Sequence, residues 1–267
     1  MNDEKAAYER GLKLGLELGG PAFQQTIDSL CSVDSELALY LVADGYGKVL
    51  SRGNLSLENR ELCIIAALAC RAHLPQLKWH LAAALNIGVP PEAVREVLVQ
   101  TLPYAGWPTS LNALGAMAAT FAEHGIVAQP VPASDLSRHE LEQRGRENGG
   151  RIYADYRAVE GVLQGYDAEL AGYLTENAYG QVYARPGITL QQRELIAVAM
   201  LTAQQQLTQL GWHIEGGLRV GCTADEIKEV IVTMLLYLGW PSTLNALEVW
   251  KQTTLARAQA NIAATPT

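Results

Sequence analysis

This sequence predicts an all-α fold made of two tandem helical repeats, and three observations predict it. First, positions 46–114 align on 179–247 without a gap, with 29 identities in 69 positions and a constant offset of 133. A period that long marks two domain-sized units rather than a solenoid of short repeats. Second, Ala and Leu are abundant while aromatic residues make up only 7% of the 267, a balance that favours helices over a β-sandwich. Third, no segment alternates apolar and polar residues with the period of two that a half-buried strand needs.

Residues 4–18 read as a first helix that ends at the paired Gly19-Gly20. A second apolar periodic run covers about 34–48. A connector then reaches Ser56, a good N-cap. Its counterpart Thr189 is followed three residues later by Gln192, a capping box that satisfies two otherwise orphaned amides. The run 57–73 is apolar nearly all round its middle, which predicts the central buried helix. Pro75 suits the first turn of the next helix, where its missing amide proton costs nothing. That helix carries Gln76, Trp79 and His80 and stops at Gly88. A third starts at Pro90-Pro91-Glu92, matched in the second copy by the capping box Thr223–Glu226, and reaches Tyr104. Gly106-Trp107-Pro108 breaks the chain before a fourth helix over 109–124. The first repeat is therefore 1–124. Residues 125–134, with two prolines and no helical period, are the linker; 135–260 is the second repeat, and 261–267 is a polar tail expected to fray.

A formal charge of −8 argues against nucleic acid, whose binding is dominated by cationic contacts to phosphate. It leaves small anionic substrates open, because local charge at a site differs from net charge. The charged start, MNDEKAAYER, lacks the apolar core of a signal peptide. The longest apolar run, Leu62 to Cys70, is about nine residues, far short of the roughly 20 that span a bilayer. A soluble, reducing, cytoplasmic setting with neither membrane nor nucleic acid as partner is expected. Cys31, Cys63, Cys70 and Cys222 form no CxxC pair, and Cys63 and Cys70 read as small hydrophobes in an apolar run.

Each copy opens with Arg-Glu (Arg60-Glu61, Arg193-Glu194), carries Gln-Leu-x-Trp-His (Gln76 to His80, Gln209 to His213) and closes on Tyr-x-Gly-Trp-Pro (Tyr104 to Pro108, Tyr237 to Pro241). His80 and His213 are two of only five histidines and hold equivalent positions, so they are candidate proton shuttles; a core histidine bonded to a neighbour is the plainer reading. Glu61 and Glu194 are the candidate carboxylates, each inside an apolar helix where an ionised side chain needs a partner. In a tight antiparallel hairpin, Glu61 and His80 would be offset by roughly 10 Å along the axis. Contact thus needs steeply crossed helices or a carboxylate from another unit. Gln76 and Gln209 share a helix face with the histidines. Trp107 and Trp240 line a pocket or plug the core. Asn112 and Asn245 bond either a ligand or nearby backbone. Arg52 and Arg185 hold a substrate carboxylate or make structural ion pairs. No metal is expected: Pro75 interrupts the set Cys70, His73, His80, and the second copy has Ala203 and Gln206 at the first two positions.

Together, YGKVLSRGNLSLENREL, KWHLAAALNIGVPPEAVREVL and YAGWPTSLNAL, with their second copies, resemble the carboxymuconolactone decarboxylase family. The resemblance covers most of both units. It implies the fold shared with the alkylhydroperoxidase D branch, and Glu61 with His80 (or Glu194 with His213), 19 apart, match the relay Glu and His of that fold. The peroxidase branch also needs a CxxC pair, and its positions here are His73 and Gln76, then Gln206 and Gln209. Without a thiolate attacker and a resolving thiol, dithiol peroxidase activity is excluded.

The expected function is a cofactor-independent lyase that decarboxylates a small carboxylated lactone by Glu/His acid–base chemistry, as in aromatic catabolism. The alternatives are a non-catalytic small-molecule-binding or assembly scaffold, and an isomerase or dehydratase of secondary metabolism. A pocket walled off in both copies would favour the scaffold. The resemblance further implies a homo-oligomer, a trimer first and a dimer second.

Overall fold

A computed structural model describes residues 2–263; residues 264–267, most of the expected tail, lie outside them. Among the described residues every regular element is helical. The first repeat holds α1 (Asn2–Gly19), α2 (Pro21–Val33), α3 (Ser35–Leu39), α4 (Leu57–Cys70), α5 (Leu74–Asn86) and α6 (Pro91–Glu123). The second repeats the order in α7 (Arg138–Ile152), α8 (Tyr156–Gln164), α9 (Ala168–Tyr173), α10 (Leu190–Gln204), α11 (Leu207–Arg219), α12 (Ala224–Thr233) and α13 (Leu235–Ala263). Both α3 and α9 run on as wider π-helix, through Tyr40–Leu50 and Leu174–Val182. Helix α2 had no clear reading from sequence, because it buries only Phe23 and Ile27 and its apolar stripe is correspondingly thin. Helix α13 carries on to Ala263, into the segment expected to fray.

Local signals explain the starts. The Ser56 hydroxyl accepts the Asn59 amide, and capping boxes close Thr189–Gln192 and Thr223–Glu226. Helices α6 and α13 each turn sharply at a glycine with positive φ, Gly106 (77°) and Gly239 (76°), a conformation that costs other residues strain. Beyond the break, Ser110 and Thr243 hydroxyls donate to the glycine carbonyls at 3.0 Å.

Every residue of α4 from Arg60 to Ala69 is buried. It packs against α10, so one hydrophobic core runs through both repeats. The repeats are also laced reciprocally by charge. Glu229 accepts a two-pronged contact from Arg52 (2.7 and 2.9 Å) and faces Arg60, while Glu96 takes the same contact from Arg185 (2.8 and 2.7 Å) and faces Arg193. Both glutamates are at most 2% exposed. No single helix among the described residues is long and apolar enough to cross a membrane.

Candidate active site

Glu61 and His80 meet directly, Oε2 to Nδ1 at 2.8 Å, and Glu194 and His213 do so at 2.9 Å. Each carboxylate thus comes from the histidine's own repeat, and α4 and α5 must cross rather than lie as a strict hairpin. Both glutamates are fully buried, both histidines 5% exposed. The second carboxylate oxygen of each glutamate accepts no hydrogen bond among the described residues. The imidazole is thus the one side chain that each buried carboxylate bonds among the described residues. Binding Nδ1–H to the carboxylate leaves Nε2 as the atom that takes or gives a proton.

Nε2 faces a residue from the other repeat. The Tyr237 hydroxyl lies 3.1 Å from Nε2 of His80, and that of Tyr104 lies 3.3 Å from Nε2 of His213. Burial, with the Tyr46 phenol and the Glu61 charge behind it, raises the Tyr237 phenol well above the usual range, so it stays neutral and serves as donor or acceptor. Sequence reading missed this pair of tyrosines as site residues. Their signal was present, since the Tyr-x-Gly-Trp-Pro segment is kept in both copies, but its partner lies 157 positions away.

A cavity of about 1000 Å³ opens on His80. Phe23, Tyr46 and Trp79 of the first repeat and Tyr237 and Trp240 of the second form its largely apolar wall, and Gln76 reaches it. Lys48 and Asp44, paired at 2.6 Å, also line it. Hydrogen bonding to Asp44, then the charge of Asp44, holds the Lys48 ammonium above its usual pKa.

Of the expected substrate-binding positions, three are tied up by contacts of their own and three lie exposed, away from the cavity at His80. Arg52 and Arg185, the candidate carboxylate holders, are committed to Glu229 and Glu96, whose buried charges need them. Trp107 is 60% exposed and lies outside the cavity at His80. Asn112 and Asn245 are exposed, and Asn245 donates to Gln205 instead. Gln209 is exposed on the second repeat, away from that cavity. In α11, a Cβ at Gly216 would stand 2.6 Å from Oε2 of Glu194 and 2.7 Å from Ile152. The glycine is what lets that carboxylate sit under the helix.

Around His213 the corresponding space is filled. Tyr153, Tyr156, Tyr179 and Tyr183 pack as one aromatic cluster. The Tyr153 hydroxyl stands 3.3 Å from Nε2 of His213, and Tyr183 bonds Tyr104 through their hydroxyls. The four cysteines are all free; burial raises the Cys70 and Cys222 thiols to about 12, so neither offers a thiolate near neutrality. Among the described residues, no group of three or more His, Cys, Asp or Glu is placed to hold a metal ion.

A model of the carboxymuconolactone decarboxylase family matches residues 37–119 and 168–252. A nitrosuccinic acid decarboxylase of Metarhizium robertsii is 30% identical over 127 residues, covering 45% of this chain and 89% of that protein. A 4-carboxymuconolactone decarboxylase of Acinetobacter baylyi is 30% identical over 132 residues, covering 49% and 98%. A solved structure described as a gamma-carboxymuconolactone decarboxylase subunit from Burkholderia xenovorans superposes with a TM-score of 0.59 over 96% of this chain and 98% of that one; at 20% identity it speaks for the fold alone.

Proposed function

Because this chain belongs to the carboxymuconolactone decarboxylase family, we propose that it is a cofactor-independent decarboxylase of small carboxylic acids and that Glu61, His80 and Tyr237 carry the reaction. The observation behind this reading is the cavity lined by both His80 and the Tyr237 that bonds its Nε2. An assembly scaffold has no need of an open path to a buried acid–base pair.

The chemistry follows from the wall. The apolar surface disfavours a carboxylate and favours neutral CO₂. Lys48 holds a further anionic group of the substrate at the mouth. As the bond to the departing carboxylate breaks, its electron pair passes into an adjoining electron-withdrawing group, such as a conjugated lactone. Nε2–H of His80 then protonates the resulting anion, Tyr237 keeps the ring in line, and Glu61 stabilises the imidazolium beforehand. Solvent restores the proton. The names of the two relatives, a nitro diacid and a carboxylated lactone, share this demand for an electron sink beside a carboxylate. The carboxylated lactone remains the substrate of first choice. The expected homo-oligomer is also part of the proposal: Trp107 with Leu111 and Trp240 with Leu244 expose equivalent apolar faces that copies could bury.

The test is CO₂ release from 4-carboxymuconolactone. His80→Ala should lose roughly 10²–10⁴-fold in kcat, whereas His213→Ala should keep nearly wild-type turnover. Full activity in a folded His80→Ala chain would end this reading.

A further inference from the structure

The closed half of the molecule keeps the proton-transfer set of the open half, with Gln181 where the open half has Lys48. Glu194, His213 and Tyr104 repeat Glu61, His80 and Tyr237 in identity, in spacing and in the crossing of a tyrosine from the other repeat. What differs is the space in front of Nε2.

The difference centres on Tyr153, with Tyr183 standing where the open half has Leu50. Between α1 and α7 the offset is 134, one more than elsewhere: Arg10 donates to the Gly47 carbonyl as Arg144 does to that of Gly180, and Gly15 lies against the Phe23 ring as Gly149 lies against that of Tyr156. On that register Gly19 corresponds to Tyr153. A Cβ at Gly19 would stand 2.4 Å from the Trp79 ring, so the bare glycine is what lets that indole fold in against α1. With Tyr153 in its place, the equivalent indole, Trp212, is 50% exposed. The ring of Tyr153 packs on His213, Tyr156 and Tyr179. The counterparts of all three (His80, Phe23 and Tyr46) line the open cavity. Tyr153 therefore occupies the space that the open site offers to a ligand, with its hydroxyl at the proton-transfer atom.

We propose that Glu194, His213 and Tyr104 form a second, latent decarboxylation site, closed by Tyr153 acting as a built-in ligand, and that removing this side chain opens it to a planar acid of six-membered-ring size. The phenol itself supplies the size: a six-membered ring with one oxygen directed at Nε2. The proposal rests on the reading of the open site given above, and two readouts separate their failures.

Crystals are soaked with 4-bromobenzoate and the bromine located by anomalous scattering, for the wild type, Tyr153→Gly and, as a milder change, Tyr153→Ala. The wild type should show bromine beside His80 only, and the variants a second site beside His213. A folded variant of either kind with no bromine beside His213 overturns the proposal. In the second readout, Tyr153→Gly is combined with His80→Ala and assayed for CO₂ release from 4-carboxymuconolactone. Activity at least 10-fold above His80→Ala alone supports the latent site. If the wild type is active, bromine binds beside His213, and the double variant is as slow as His80→Ala, then the second dyad is structural and the catalytic half of the proposal falls. A wild type inactive on this substrate counts against the open-site reading, and the bromine map then decides alone whether Tyr153 is the plug.

Discussion

At the scale of single residues, the dyads explain why a fully buried glutamate is tolerated: its charge has an imidazole to face. Glu61→Gln keeps the size and removes the charge, and should lower kcat about 10²-fold while leaving KM within a few-fold, read from initial rates. Tyr237→Phe should cost less, about 10-fold, since it removes one hydrogen bond of roughly 1–1.5 kcal/mol. The tyrosines also set an alkaline limit. Burial raises the Tyr156 phenol from the usual 10 to about 12 and pushes Tyr104, Tyr179, Tyr183 and Tyr237 further up. The unfolded chain loses these protons near pH 10 while the folded chain holds them, so the unfolded state binds fewer protons and stability falls as pH rises. Denaturation midpoints should be flat below about pH 9 and drop between 10 and 12, by up to ~1.4 kcal/mol per unit for each such tyrosine. The glutamates and histidines were legible in sequence because both copies repeat them at one spacing. The tyrosines opposite Nε2 were not, since only packing brings residue 237 to residue 80.

At the scale of elements, the breaks in α6 and α13 place the site. Gly239 turns the chain so that Tyr237, before the bend, reaches His80 while Trp240, after it, lines the mouth. Gly239→Ala should destabilise by roughly 1–3 kcal/mol, as a side chain at φ 76° is strained. It should also raise KM more than it lowers kcat, and a denaturation curve beside steady-state kinetics reads both. The Gly-Trp-Pro motif announced this bend, and the capping boxes announced where helices begin. Helix α2 escaped notice because its apolar face is two residues wide, and the π-helical turns escaped because a wider turn leaves no distinct period over so short a stretch.

At the scale of the whole molecule, the two repeats are sewn together by exchanged charges. Glu229→Ala would leave Arg60, 1% exposed, without its carboxylate and should destabilise by ~3–5 kcal/mol, measured as a shift of the denaturant midpoint at unchanged slope. Sequence offered Arg52 and Arg185 as substrate holders or structural ions with nothing to choose between them, for their partners sit 177 and 89 positions away. The same exchange reaches the chemistry. The open pocket borrows Tyr237 and Trp240 from the half whose own pocket is shut. A duplicated half that had only its own site to serve would be free to wander once that site closed. This half is not free: its bend and its tyrosine complete the pocket at His80, and its buried Glu229 holds Arg52 and Arg60 of its neighbour.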